Sequence, residues 1–143
     1  MITSEYIVGL IDGEGSFTVY VRNPREQARD VTHRVKVEPR FYVKLIERDK
    51  QILYGLQKYF RCGNVYFQKD SRPHHQNCYR YEVTRREDLQ NVIIPFFQRY
   101  PLQFPSKQND FTIFCAIMDK IYAGDHLKQK GLYTIYKLKQ KMH

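Results

Sequence analysis

Gly9 and Gly13 stand four residues apart around the apolar stretch Ile7-Val8-Gly9-Leu10-Ile11, and that spacing limits what the chain can become. Thr3 or Ser4 offers an N-cap, and Ile7, Leu10 and Ile11 follow at helical spacing, so the segment predicts an amphipathic helix. On it the glycines form one smooth stripe. Each costs about 1 kcal/mol relative to alanine inside a helix, a cost that close approach of a partner helix offsets. The helix should end near Gly13-Glu14-Gly15, leaving Asp12 and Glu14 at its C-terminal tip, where the helix dipole disfavours carboxylates. Taken singly, Asp12 reads as a turn residue and Glu14 as a solvated loop carboxylate. Taken with the stripe, they read differently. Two such helices packed about a two-fold axis would bring carboxylates together, and these repel unless a divalent cation lies between them.

Alternation takes over after the tip. Ser16 to Arg22 predicts a half-buried strand with Phe17, Val19 and Val21 on one face. Asn23 to Thr32 reads as a charged loop. A second strand is expected over roughly His33 to Lys44, with Pro39 marking a bulge or an edge position. Ile46 to Phe60 carries helical spacing and stops at Arg61-Cys62-Gly63-Asn64. Val65 to Gln68 and Tyr79 to Thr84 predict a hairpin around a long polar loop. Helices follow over Arg85 to Phe97 and Lys107 to Tyr122, with Pro101 and Pro105 in the connector between them. A lysine-rich helix starts near Leu127. Neither a linker nor a repeat interrupts this order. It predicts a single α+β domain over residues 1–143, with a four-stranded antiparallel sheet covered on one face by helices.

The partner is indicated by charge. With 24 Lys and Arg against 15 Asp and Glu, the net charge is +9, which favours a polyanion: nucleic acid first, an anionic membrane surface second. No apolar run approaches a membrane span, and the first ten residues lack the features of a signal peptide. A soluble, intracellular chain is therefore expected, whether in a bacterial or archaeal cytoplasm or in an organelle. Three cysteines without CxxC pairing argue against a disulfide framework. His74-His75-x-x-Cys78 lacks a second ligand pair for zinc.

The segment Ile7-Val8-Gly9-Leu10-Ile11-Asp12-Gly13-Glu14-Gly15, followed at once by Ser16-Phe17-Thr18-Val19, resembles the signature of the LAGLIDADG homing endonuclease family. Later blocks are similar to the family as well: Tyr79 to Thr84, Val92 to Phe97 with Tyr100-Pro101-Leu102, and His126-Leu127 with Gly131-Leu132. The resemblance implies an αββαββα core with a saddle-shaped sheet. It implies metal-dependent hydrolysis of both DNA strands across the minor groove, leaving 3′ overhangs at a long pseudo-palindromic site. Magnesium is the implied metal, with manganese able to substitute and calcium expected to bind without supporting cleavage. Glu14 falls on the metal-binding acid, Gly13 on the metal-contacting carbonyl, and Asp12 on the acid that supports the helix end and interface. Gly9, Asp12 and Gly13 thereby fall at a dimer interface. Lys107 looks like the basic residue near the scissile phosphate, or equally a solvated lysine at a helix start.

Some members place a glutamine near the end of the second strand to organise water. Here Val43-Lys44-Leu45-Ile46-Glu47-Arg48 has none, leaving Lys44 and Arg48 as polar candidates. Ala123-Gly124-Asp125 has the letters of a second signature but neither the preceding apolar register nor the following acid. One motif implies a symmetric homodimer.

The polar face of the expected sheet carries Thr18, Tyr20, Arg22, Arg40, Tyr42, Lys44, Tyr66, Gln68, Arg80, Glu82 and Thr84. Such a mixture on a twisted sheet suits base edges in the major groove of double-stranded DNA. Arg25, Arg29 and Arg72 in the flanking loops suit phosphates. The lysines of the last helix read either as further phosphate contacts or as a solvated face. Two other functions fit the same scaffold: a splicing maturase that binds intron RNA, and a catalytically silent DNA-binding protein.

Overall fold

Thr3 caps the first helix as its sequence predicts, its hydroxyl accepting the Tyr6 N–H at 3.2 Å. In the computed structural model, which describes residues 2–25 and 36–143, helix α1 (Ser4–Glu14) runs straight into strand β1 (Gly15–Val21). The junction needs glycine. A Cβ on Gly15 would lie 2.5 Å from Ile11 Cγ2 and 3.0 Å from the Ile11 backbone. No loop residue intervenes, so Glu14 is held at a fixed place relative to the sheet.

The remaining elements follow in the expected order. Strand β2 (Val37–Ile46) leads through a 3-10 turn (Glu47–Asp49) into α2 (Lys50–Phe60). Strands β3 (Asn64–Gln68) and β4 (Cys78–Val83) form the hairpin. A helical stretch combines α3 (Arg86–Asp88), a π turn (Leu89–Ile93) and α4 (Ile94–Arg99). Helices α5 (Pro105–Tyr122) and α6 (Gln129–Lys139) complete the described structure. No helix among the described residues is long and apolar enough to cross a membrane.

All strand pairs are antiparallel, in the order β1-β2-β4-β3, giving the α+β sheet that the alternation predicts. Several boundaries move. The expected start of the second strand at His33 and most of the preceding loop lie outside the described residues. Its end extends to Ile46, because Leu45 and Ile46 find partners in Tyr79 and Cys78. The third helix carries a π turn where a regular helix was expected. Pro95 has no N–H and its ring crowds the carbonyl four residues back, so the turn ahead of it widens and the Ile94 N–H reaches Leu89. Pro105 belongs to α5 and not to the connector, at a first-turn position that proline suits.

Pro39 sits in a central strand without losing a ladder bond. The Lys36 carbonyl accepts the Arg22 N–H, so even-numbered β2 residues bond towards β1 and odd-numbered ones towards β4. The β4 ladder stops at the Phe41–Val83 pair, so Pro39 faces a side where the partner strand has already ended.

One face of the sheet meets the helices. Phe17, Val19, Phe41, Val43, Tyr81 and Val83 are buried there against Leu53, Leu89, Phe97, Phe111 and Phe114. Phe17 is the hub, with Phe41, Phe97, Phe111 and Phe114 rings at 5.1–5.5 Å. Phe67, on the outermost strand, stays half exposed and packs edge-on against Tyr79. Past α2, Arg61 and Gly63 turn the chain with positive φ, and the Tyr81 hydroxyl donates to the Cys62 carbonyl at 2.8 Å.

Candidate active site and nucleic-acid interface

The two acids of the nonapeptide point to different places. Asp12 is buried, and its carboxylate accepts the Gln103 N–H at 3.0 Å and the Phe104 N–H at 3.1 Å. These donors sit at the start of α5, where negative charge is favoured by the helix dipole. Glu14 is exposed at the tip of α1. Beside it, the Lys107 ammonium donates to the Gly15 carbonyl. Lys107 lies in the first turn of α5, the helix that Asp12 anchors, so one clip fixes the distance between the acid and the base.

Lys44 and Arg48 part company. Val43 pairs with Gly15, which puts Lys44 one residue beyond the register of the tip. Arg48 lines a separate depression with Glu47, His75, Gln76 and Asn77. Of the two polar candidates, only Lys44 lies at the end of the sheet where Glu14 emerges.

The flank of α1 is bare. A Cβ on Gly9 or Gly13 would meet nothing within 4 Å. Glu5, Val8, Gly9, Asp12, Arg99, Tyr100, Pro101 and Gln103 line a groove of about 400 Å³ along this side. The glycines, costly inside a helix, serve no packing need among the described residues.

The solvent-facing side of the sheet carries the expected residues in register. Ser16 pairs with Tyr42, Thr18 with Arg40, Tyr20 with Glu38, Lys44 with Arg80, Tyr42 with Glu82 and Tyr66 with Arg80. Burial, and then donation to Glu82, raises the Tyr66 hydroxyl above its ordinary range. Gln68 occupies the same face of β3, its Oε1 buried without a hydrogen-bond partner among the described residues. Thr84 lies one residue past β4, exposed in the turn before α3. Arg22 follows β1 directly. Arg25 is exposed in a turn whose N–H bonds Asn23 Oδ1 at 3.0 Å. Arg29 lies outside the described residues. Arg72 is exposed at the hairpin loop, paired with Asp70 at 2.6 Å. The Arg72 side chain and backbone hold the Asp70 carboxyl well below the usual carboxylate range.

Two features escaped the sequence reading. Glu38 shares the polar face, two residues before Arg40, and strand alternation alone would have found it. Tyr136 of α6 and Gln140 just past its end join Lys139, one of the lysines already read as a possible phosphate contact, in closing one side of a groove of about 530 Å³ whose other walls include Thr18, Tyr20, Arg40, Tyr42 and Arg80. The periodicity of α6 says nothing about this docking, which depends on contacts with β1 more than a hundred residues away.

Other reactive groups are quiet. Burial pushes the Cys115 thiol up to about 12 and raises Cys62 as well, so neither is a thiolate at neutral pH. Burial, with Arg86 and Lys36 nearby, lowers His126 below 6.5.

The sequence profile of the LAGLIDADG endonuclease family matches residues 7–118. A probable intron-encoded endonuclease 3 of Neurospora crassa is 31% identical over 136 residues, covering 94% of this chain and 24% of that protein. The homing endonuclease I-ApeII of Aeropyrum pernix is 30% identical over 113 residues, 79% of this chain and 60% of its own length. The chain thus spans about a quarter of the first relative and 60% of the second. Among solved structures, the homing endonuclease I-TnaI has a TM-score of 0.81 at 31% identity, over 99% of this chain and 88% of that one. I-SmaMI, bound to an uncleaved DNA target in the presence of calcium ions, gives 0.82 at 29% identity, over 100% of this chain and 45% of its own. The matched region includes the buried Asp12 clip, the exposed Glu14 and the sheet that follows them, and the chain belongs to the LAGLIDADG endonuclease family.

Proposed function

We propose that this chain is a site-specific double-strand DNA endonuclease, a homing endonuclease acting as a symmetric homodimer on a long pseudo-palindromic target. The observation that carries the reading is the bare tip of α1, where an exposed Glu14 stands beside a glycine-lined flank and the Lys107 ammonium. A second α1 laid along that flank about a two-fold axis would bring two Glu14 carboxylates together. One such domain fills 88% of the I-TnaI chain but 45% of the I-SmaMI chain, which has length for two. The relatives named as endonucleases and the DNA complex of I-SmaMI support DNA as the substrate.

The donor set fits magnesium. Each domain offers the Glu14 carboxylate and the Gly13 carbonyl. Among the described residues no cluster of three or more His, Cys, Asp or Glu could cage an ion. Magnesium keeps several waters and binds through one or two carboxylates plus substrate phosphates, which suits so sparse a site. Manganese would substitute, and calcium would bind without supporting cleavage. The metal, when bound, supplies Lewis acidity and a more acidic water at the scissile phosphate. Lys107 places positive charge where negative charge builds on the phosphate during hydrolysis. Asp12, occupied by two backbone donors, keeps α1 and α5 in fixed relation and leaves the metal to Glu14. The polar face of the sheet grips the flanking duplex through Thr18, Arg40, Tyr42 and their neighbours.

A plasmid carrying a site selected from random DNA tests the proposal. It should be cut on both strands with magnesium and left intact without a divalent ion. Selective binding with no cutting under any divalent ion would replace the enzyme by a DNA-binding protein. Selection of RNA over DNA would favour a splicing maturase.

A further inference from the structure

A carboxylate on the face that meets a polyanion works against affinity, yet Glu82 occupies the middle of it. Glu82 pairs with Tyr42 on one side and Asn64 on the other, and its side chain is 10% exposed. Three partners converge there, two as hydrogen-bond donors and Arg40 as an ion pair. Arg40 Nη1 lies 3.0 Å away and Arg80 Nη2 3.5 Å away, while the Tyr66 hydroxyl donates to the second oxygen. With the side chain 10% exposed and three groups crowding its two oxygens, little of it is free to accept from a cytosine amine.

The two arginines are held differently. Arg40 lies between two carboxylates, with Nη1 on Glu82 and Nη2 on Glu38, each at 3.0 Å, and its side chain stays 33% exposed. Both ends of its planar fork are fixed while the remaining N–H groups stay available. Arg80 lies over the Tyr42 ring, 3.6 Å from its centroid, with the side chain only 15% exposed and Nε buried without a hydrogen-bond partner among the described residues. Arg40 presents its guanidinium to the groove, whereas Arg80 is packed as a wall beside it.

The geometry points to Glu82 as a positioning residue for base readout: with Glu38, it sets the Arg40 guanidinium as a pre-formed fork for one guanine. The inference rests on the DNA-binding reading above. A fork already held in place loses less side-chain entropy on binding, and a fixed direction rejects bases that a mobile arginine would follow. The charge on Glu82 therefore lowers general affinity for DNA and sharpens discrimination.

Selection from randomised DNA, run on the wild type, Glu82→Gln, Arg40→Ala and the double variant, tests this, with thermal unfolding run on each as a check on folding. The wild type should prefer guanine at a position where Arg40→Ala loses the preference. Glu82→Gln should lose about tenfold in discrimination at that same position, and the double variant should lose no more there than Arg40→Ala alone. Affinity of Glu82→Gln for unrelated DNA should hold or rise, with a steeper salt dependence. Tyr66→Phe removes a single donor and should weaken the same preference to a lesser degree, which decides the matter if Glu82→Gln does not fold. An unchanged profile in Glu82→Gln would overturn the inference. So would a preference lost at a cytosine that Arg40→Ala leaves alone, or an even loss across all positions. A wild type that selects no DNA sequence would refute the endonuclease reading itself, and the positioning role with it.

Discussion

The Asp12 carboxylate accepts the Gln103 N–H through both of its oxygens at 3.0 Å, which fastens the last turn of α1 to the residues that lead into α5 across 91 residues of chain. The neighbouring acid, Glu14, faces solvent two residues on. One short motif thus supplies both a clip between α1 and the start of α5 and an exposed charge for the proposed metal site.

Removing the clip should cost stability first. Asp12→Ala would leave two backbone N–H groups at the start of α5 without their acceptor, at about 2–4 kcal/mol, since hydrogen bonds to charged groups are worth about 1.5–3 each. Asp12→Asn keeps an acceptor oxygen and should cost less. Urea unfolding followed by circular dichroism measures both, and a loss under 0.5 kcal/mol for Asp12→Ala would show that the clip is dispensable.

Gly9→Leu should separate folding from assembly. A Cβ at position 9 meets nothing within 4 Å among the described residues, so the variant should fold with near-normal stability. In a symmetric pair it intrudes twice at the helix crossing, and overpacking there costs about 1–3 kcal/mol per site. Sedimentation equilibrium should show a dimer for the wild type and a folded monomer for the variant. A variant as dimeric as the wild type would move the interface elsewhere.

Lys107→Met should leave binding nearly unchanged and slow cutting by about 10²–10³-fold, the range for loss of one group that stabilises transition-state charge. Single-turnover cleavage and a gel-shift titration in calcium separate the two effects. Equal losses in both would make Lys107 a phosphate anchor and not a catalytic group.

Much of this was legible in the chain because period carries direction. Alternation through Ser16–Arg22 and Tyr79–Thr84 gave the two faces of the sheet, and the glycine spacing gave the bare flank of α1. The tip was legible because Asp12 and Glu14 sit where a helix disfavours acids. Long-range partners were not. Nothing near Asp12 names Gln103 as its donor, and nothing in α6 shows that Tyr136 borders the groove on the polar face of the sheet. Glu38 was visible by alternation but was passed over beside Arg40, since a carboxylate does not look like part of a DNA-binding face until its arginine partner is seen.

His126 should make stability pH-dependent. Burial, with Arg86 and Lys36 close by, lowers its folded pKa below 6.5, against the smaller opposing effect of Asp125. The unfolded chain therefore binds the proton more readily, so the contribution is present above about pH 6.5 and is lost as pH falls through the folded value. His126→Gln should flatten the fall in Tm between about pH 7 and 5. Differential scanning calorimetry across that range checks it, and parallel curves for the two proteins would place the pH dependence elsewhere.

Cleavage by Glu14→Gln is the most direct test of a metal-dependent endonuclease built around the α1 tip. Glutamine keeps the size and loses the charge that would hold the metal, while the polar face of the sheet and the Asp12 clip are untouched. With magnesium and the selected target, the variant should cut at least about 10³-fold more slowly than the wild type, and in calcium it should bind that target within about threefold of wild-type affinity. Cutting at the wild-type rate in magnesium would contradict the assignment of Glu14.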